Sequence, residues 1–187
     1  MRTLLGVCGF SGAGKSTFCR EMARRFDLPL FATGEIVRRE VAARGHALTP
    51  ETIARVSDQI RAETGGRFLR ILEPDLHQAF ASKPAVLVDC LREESDLLAV
   101  RDLADRIVLI AITAPDETRA ARALGRSRPG DPVSREELQE LHRMEQRLGV
   151  AVLLQSADYA VHNDGDLDSF IERAAAVVWA LLSSQID

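Results

Sequence analysis

Apolar positions in this chain fall into short, nearly continuous runs separated by longer stretches in which they recur every three to four residues. The runs predict strands and the periodic stretches predict helices. Residues 3–8 form the first run, followed at once by glycine, as expected of a buried strand. Residues 28–32, 85–88 (ending on Asp89), 106–112 and 159–162 read as four further strands. Residues 16–26 carry Phe18, Met22 and Phe26 at i, i+4 and i+8, one face of a helix. Thr49-Pro50 is a cap residue followed by proline at the first helical position. Ser134 with Glu137 three residues on reads as a capping box. The last helix spans about 166–182, with Leu167, Phe170, Ile171, Ala174, Val178 and Leu181 on one face.

Strands alternating with helices imply a parallel sheet covered on both sides. The expected fold is therefore a three-layer α/β/α domain around a five-stranded parallel sheet. Two stretches interrupt the alternation. Residues 34–80 hold about three helical segments and no strand, and are expected to lie over the sheet's C-terminal edge as an insertion. Residues 125–132, Gly-Arg-Ser-Arg-Pro-Gly-Asp-Pro, carry turn signals at almost every position and two arginines. The chain thus divides into a core (1–33, 81–124, 133–187), a helical insertion (34–80) and a short lid (125–132).

Between the first strand and the first helix stands Gly9-Phe10-Ser11-Gly12-Ala13-Gly14-Lys15-Ser16-Thr17, a full match to G-x-x-x-x-G-K-[ST]. Such a loop turns backbone N–H groups inward to cradle phosphate oxygens, and the helix that follows directs its positive end at the same anion. Gly9, Ser11, Gly12, Ala13, Gly14, Lys15, Ser16 and Thr17 are the expected nucleotide-binding residues. Lys15 is expected to reach the β- and γ-phosphates and Ser16 to hold Mg²⁺, so ATP and Mg²⁺ are the expected small-molecule partners.

Composition sharpens this picture in three ways. With 187 residues and a net charge of −4, the chain has one domain's worth of core and no general affinity for nucleic acid or membrane surfaces. No apolar run approaches the roughly 18 residues that a bilayer span needs. Cys8, Cys19 and Cys90 are odd in number and widely spaced, which argues for a reduced, cytoplasmic setting. Of 24 basic residues only Lys15 and Lys83 are lysine, so the lysine of the glycine-rich loop stands out as a position where a compact ammonium is required.

Further segments resemble the adenylate kinase and nucleoside monophosphate kinase family. Thr33-Gly34-Glu35-Ile36-Val37-Arg38 is similar to that family's Thr-Gly-Asp-x-x-Arg. The resemblance implies that Thr33, Gly34, Glu35 and Arg38 bind the acceptor and that Arg38 grips its phosphate. Val86-Leu87-Val88-Asp89-Cys90-Leu91-Arg92 resembles the strand ending in Asp-Gly-Phe-Pro-Arg, with Cys90 in place of glycine and one residue fewer. It implies Asp89 as the Mg²⁺-ordering acid and Arg92 as a second acceptor clamp. Arg122-Ala123-Leu124-Gly125-Arg126 resembles the Arg-x-x-Gly-Arg that opens the lid, which implies that Arg122, Arg126 and the following Arg128 close over the triphosphate. Arg143, on the next helix, is a further candidate. Residues 157–165 resemble the final strand and turn of several P-loop kinases, dephospho-CoA kinases among them. Overall the chain resembles an archaeal-type group of P-loop nucleotide kinases with short lids.

A kinase acting on a hydroxyl needs a carboxylate base near its acceptor, whereas one acting on a phosphate needs positive charge and in-line geometry. Lys15, Arg38, Arg92, Arg122, Arg126 and Arg128 supply charge; Glu35 and Asp89 are the candidate bases. Three readings stand open: phosphoryl transfer to a nucleoside monophosphate, transfer to a hydroxyl of another small molecule such as dephospho-CoA, and a nucleotide-dependent switch.

Overall fold

The computed structural model describes residues 1–126 and 131–184. The chain runs β1 (Thr3–Cys8), α1 (Lys15–Phe26), β2 (Leu30–Ala32), α2 (Thr33–Ala43), α3 (Pro50–Glu63), a 3-10 turn (Phe68–Leu72), α4 (Glu73–Phe80), β3 (Ala85–Leu91), α5 (Glu94–Val100), β4 (Arg106–Thr113), α6 (Asp116–Leu124), α7 (Arg135–Leu148), α8 (Val150–Ser156), β5 (Tyr159–His162) and α9 (Leu167–Ser183). The five strands form one sheet in the order β2-β3-β1-β4-β5, and every pairing is parallel. This is the expected α/β class. β1 lies at the centre, buried along its whole length.

Alternation along β1 sends Leu5 and Val7 to one face and Leu4 and Cys8 to the other. On the first face, Phe18 and Met22 of α1 meet Phe170 and Val178 of α9. On the second, Val41 of α2, Ile60 of α3, Leu76 of α4 and Leu153 of α8 pack with Val86 and Val88 of β3. Residues 33–80 therefore contribute one layer of the core itself, through the buried apolar stripes of their helices. No helix among the described residues is long and apolar enough to cross a membrane.

Element ends differ from the sequence expectation where local geometry overrides the apolar pattern. β2 begins at Leu30 and not Leu28: Asp27 takes φ 53°, and the Leu28 amide donates to the Ala23 carbonyl, closing α1. α1 starts one residue early, at Lys15, with Gly14 as its cap. Ser134 does accept from the Glu137 amide, but Glu137 reaches back to the Val133 amide and not to that of its cap residue.

β3 runs on through Asp89 to Leu91. Val7 faces Asp89 while Cys8 faces Leu91, so Cys90 is an extra, unpaired residue in a bulge. Its φ of 103° is a conformation that L side chains avoid. Strain of this kind costs on the order of 1–3 kcal/mol. Cys90→Gly is therefore expected to hold or raise the urea midpoint, whereas Cys90→Val, with a branched Cβ, lowers it; equilibrium unfolding of the two variants beside the parent chain checks this.

Candidate active site

The loop after β1 opens where the sheet's neighbours diverge, β3 to one side and β4 to the other. In parallel sheets ligands bind in the crevice at such a point. Two glycines set the loop's shape. Gly12 has φ +79°, and a Cβ on it would stand 2.1 Å from the Arg119 carbonyl oxygen. Gly14 has φ +107°, and a Cβ on it would stand 2.2 Å from Asn163 Nδ2. That same Nδ2 donates to the Ala13 carbonyl at 2.8 Å, and the Asn163 amide donates to Thr113 at 2.7 Å. The loop is thus pressed against α6 on one side and tied to the end of β5 on the other.

Lys15 is only 9% exposed; its Nζ donates to the carbonyls of Gly9 (2.8 Å) and Phe10 (3.0 Å), folding over its own loop. Ser16 and Thr17 are half-buried in the first turn of α1. Asp89 is buried, and its Oδ1 has no hydrogen-bond partner among the described residues. Burial pushes the Cys8 thiol up to about 12 and raises that of Cys19 as well, so neither is a thiolate near neutral pH.

The expected site residues gather into three groups. In the first, Arg38 of α2 donates from Nη2 to Asp131 Oδ1 (3.4 Å), and Arg126 donates from Nε to Asp131 Oδ2 (3.0 Å). That carboxylate is 6% exposed. Arg38 also donates to the Gly34 carbonyl at 3.2 Å. Glu35, 67% exposed, stands 3.8 Å from Arg38. In the second group, Thr33 is buried and donates to the Cys90 carbonyl (3.3 Å), bringing the start of α2 to the β3 bulge. Arg92 follows that bulge. Its amide donates to Asp96 Oδ2 at 3.0 Å, and Arg61 of α3 pairs with the neighbouring Glu93. Cys90 first, then the carboxylates of Glu145 and Asp96, raise the Arg92 guanidinium above its ordinary value. In the third, Arg122 donates to the carbonyl and side chain of Asn163 (3.4 and 3.3 Å), bracing the residue that holds the loop. Arg128 lies outside the described residues. Arg143 is exposed and paired with Glu140 on its own helix, a carboxylate that Arg147 also approaches at 3.8 Å.

Sequence reasoning missed two participants, Glu145 and Asn163. Glu145 is 1% exposed and accepts from the Ser11 amide and hydroxyl. A signal existed: Glu145 lies seven residues after buried Leu138, on the core-facing stripe of α7. Asn163 anchors the loop, and only its place directly after β5 hinted at a role. Arg119, buried, stacks on Phe10 at 4.9 Å and bonds Asp116. Phe10, Asp116 and Arg119, with His142 and Leu154, border a cavity of about 310 Å³ beside α7, on the β4 side of the loop.

A glycine-built phosphate loop on the central strand, an acid at the end of the next strand and arginines on flanking segments define a P-loop kinase-like domain. A family model described as AAA domain matches residues 8–139. A UPF0200 protein of Hyperthermus butylicus is 33% identical over 175 residues, 90% of this chain and 89% of that protein. The chain belongs to the UPF0200 family. A UPF0200/UPF0201 protein of Archaeoglobus fulgidus is 32% identical over 180 residues, 95% of this chain and 55% of that protein, so the chain spans about half the length of that relative. In fold the chain is similar to shikimate kinase from Acinetobacter baumannii, with a TM-score of 0.59 at 18% identity over 100% of this chain and 96% of that one.

Asp96 offers a test of how the Arg92 segment is held. Burial pushes its carboxyl from 3.8 up to about 6. The folded state therefore binds this proton more tightly than the unfolded chain. Its contribution to stability is present at low pH and is lost as pH rises through about 6. Asp96→Asn keeps an acceptor for the Arg92 and Glu93 amides without the charge. It is expected to flatten the fall in urea midpoint between about pH 4 and pH 6.5 and to unfold no more readily than the parent at pH 7.5.

Proposed function

We propose that this protein transfers the γ-phosphoryl group of ATP to a small phosphorylated acceptor, a nucleoside monophosphate. The observation that carries the reading is the convergence of Arg38 and Arg126 on the one buried carboxylate of Asp131. Two guanidiniums from separate segments, one at the start of the helical insertion and one beyond α6, can share a single anion. An acceptor phosphate offers a larger charge and more oxygens in the same place.

Loop 9–17 then holds the donor through its amides, with Lys15 leaving the Gly9 and Phe10 carbonyls for phosphate oxygens. The residues fit a divalent cation: Asp89 presents an orphaned carboxylate oxygen, and the Ser16 hydroxyl stands in the first turn of α1. Mg²⁺ bound between them would neutralise charge on the transferring group. Arg92 is the second acceptor clamp, set by the Cys90 bulge and Asp96. Arg122 is braced against Asn163 at the rim of the loop, and Arg126 and Arg128 close from the lid. Residues 34–80 are the acceptor-binding segment and 125–132 the lid. A phosphate acceptor is already anionic and needs no base. Glu35, two-thirds exposed and leaning toward Arg38, is placed to orient that arginine. A partner-binding switch is disfavoured because the apolar side chains of the insertion, Val41, Val56, Ile60 and Leu76 among them, are buried in the core.

The reading is tested by screening ATP-dependent phosphorylation of nucleoside monophosphates and dephospho-CoA by mass spectrometry. A nucleoside diphosphate product is expected, and phosphorylation of dephospho-CoA alone would sink the assignment. Lys15→Ala should abolish turnover. Arg38→Ala should lower kcat/KM for the acceptor by about 30-fold or more while leaving ATP affinity within about threefold. An Arg38→Ala enzyme with unchanged kinetics would refute the acceptor clamp. Glu35→Gln should retain most of kcat; a collapse at unchanged binding would point to a hydroxyl acceptor.

A further inference from the structure

One buried carboxylate stands in the cleft without a role in the scheme above. Glu145 of α7 is 1% exposed and is held by the phosphate loop itself. The Ser11 amide donates to both its oxygens at 3.1 Å, and the Ser11 hydroxyl donates to Oε1 at 2.7 Å. Amides of this loop are the donors that receive phosphate oxygens. Glu145 therefore occupies one of them with an anion of the protein's own. The charge of Glu145 also acts on Arg92, a cation assigned above to the acceptor side. A polyphosphate arriving at the loop meets a like charge in a poorly hydrated site, where repulsion is far stronger than in water.

The packing of α7 adds a second, independent observation. Besides Glu145, its only fully buried side chain is Leu138. Beside it lies the cavity of about 310 Å³ bordered by Phe10, Arg119, His142 and Leu154. A helix resists lifting in proportion to the apolar surface it buries. Leu141, Met144 and Leu148 are only half-buried, so the bond to Ser11 adds to the attachment of this helix. Asp131, the carboxylate shared by Arg38 and Arg126, lies just four residues before α7 starts.

We propose that Glu145 is an internal competitor for the donor triphosphate. Its carboxylate holds α7 down on the empty loop. ATP binding displaces it from Ser11, and that displacement frees α7 together with the Asp131 segment. Donor binding thereby opens the place where the acceptor phosphate sits. This rests on the triphosphate half of the reading above and is independent of which acceptor is used.

The test uses the full chain, without acceptor, and two readouts: ATP affinity by calorimetry and hydrogen exchange of residues 135–148. Glu145→Gln keeps the size and one carbonyl acceptor for Ser11 but removes the charge. It is expected to bind ATP about fivefold or more tightly than the parent. Ser11→Ala, which loses only the hydroxyl donor, should show a smaller gain in the same direction. In the parent chain ATP should speed exchange in α7; in Glu145→Gln exchange there should be fast already and change little. Unchanged or weaker ATP affinity in Glu145→Gln would overturn the proposal, and so would slower exchange of α7 in the parent on adding ATP. A parent chain that binds no ATP would defeat the nucleotide reading itself, whereas the other outcomes defeat the competitor alone.

Discussion

A cleft that gathers amide donors and cations must give each of them a partner. Here the carboxyl end of a parallel sheet gathers inward-turned amides, the start of α1, Lys15 and several arginines in one place. Donors and cations left without partners in a partly dry crevice are costly. The protein answers with its own acceptors: loop carbonyls for Lys15, Glu145 for Ser11, and Asp131 for Arg38 and Arg126. Much of the local geometry follows from this. Asp131 ties the residues before α7 to two arginines, and Glu145 ties α7 to the loop.

The scaffold around the cleft is closely packed at the loop and less so beside α7. Stiffness comes from the central strand, buried along its length, and from the close approaches of Arg119 and Asn163 to Gly12 and Gly14. It comes also from the Cys90 bulge, a strained residue that lets β3 carry Asp89 to its place and still turn Arg92 out of the ladder. Looseness comes from α7, which fully buries one apolar side chain and borders a cavity. The helices of residues 33–80 belong to the stiff part on their inner faces, since they complete one side of the core, while the second turn of α2 carries Arg38 to Asp131.

These internal ion pairs bear on stability less than on specificity. A carboxylate shared by two arginines gives back in Coulomb attraction roughly what desolvation costs, so its removal is felt mainly as an uncompensated charge. The same balance explains how a cleft with this much positive charge coexists with a chain of net charge −4: carboxylates stand beside its arginines, as Glu35 and Asp131 do at Arg38.

How much of this was legible along the chain depends on the range of the interaction. The sheet, its five strands and the phosphate loop were readable because each rests on local periodicity or on a contiguous motif, from Thr3–Cys8 to Gly9 through Thr17. The helical character of 34–80 was readable for the same reason. Its membership of the core was not, because burial is set by what packs opposite, not by spacing. β2 was read two residues too long because the end of α1 took Leu28 for a capping bond that apolar patterning does not record. Glu145 looked like one more polar residue on a helix rich in them, and only docking of α7 on the loop made it a buried ligand of Ser11. Asp131 could be placed in a loop but not between Arg38 and Arg126, which stand 93 and 5 residues away. By itself the sequence determined the class of fold and the donor loop, because a few adjacent residues suffice for both. The tertiary structure alone decided which charges meet in the cleft, because that pairing joins segments far apart in the chain.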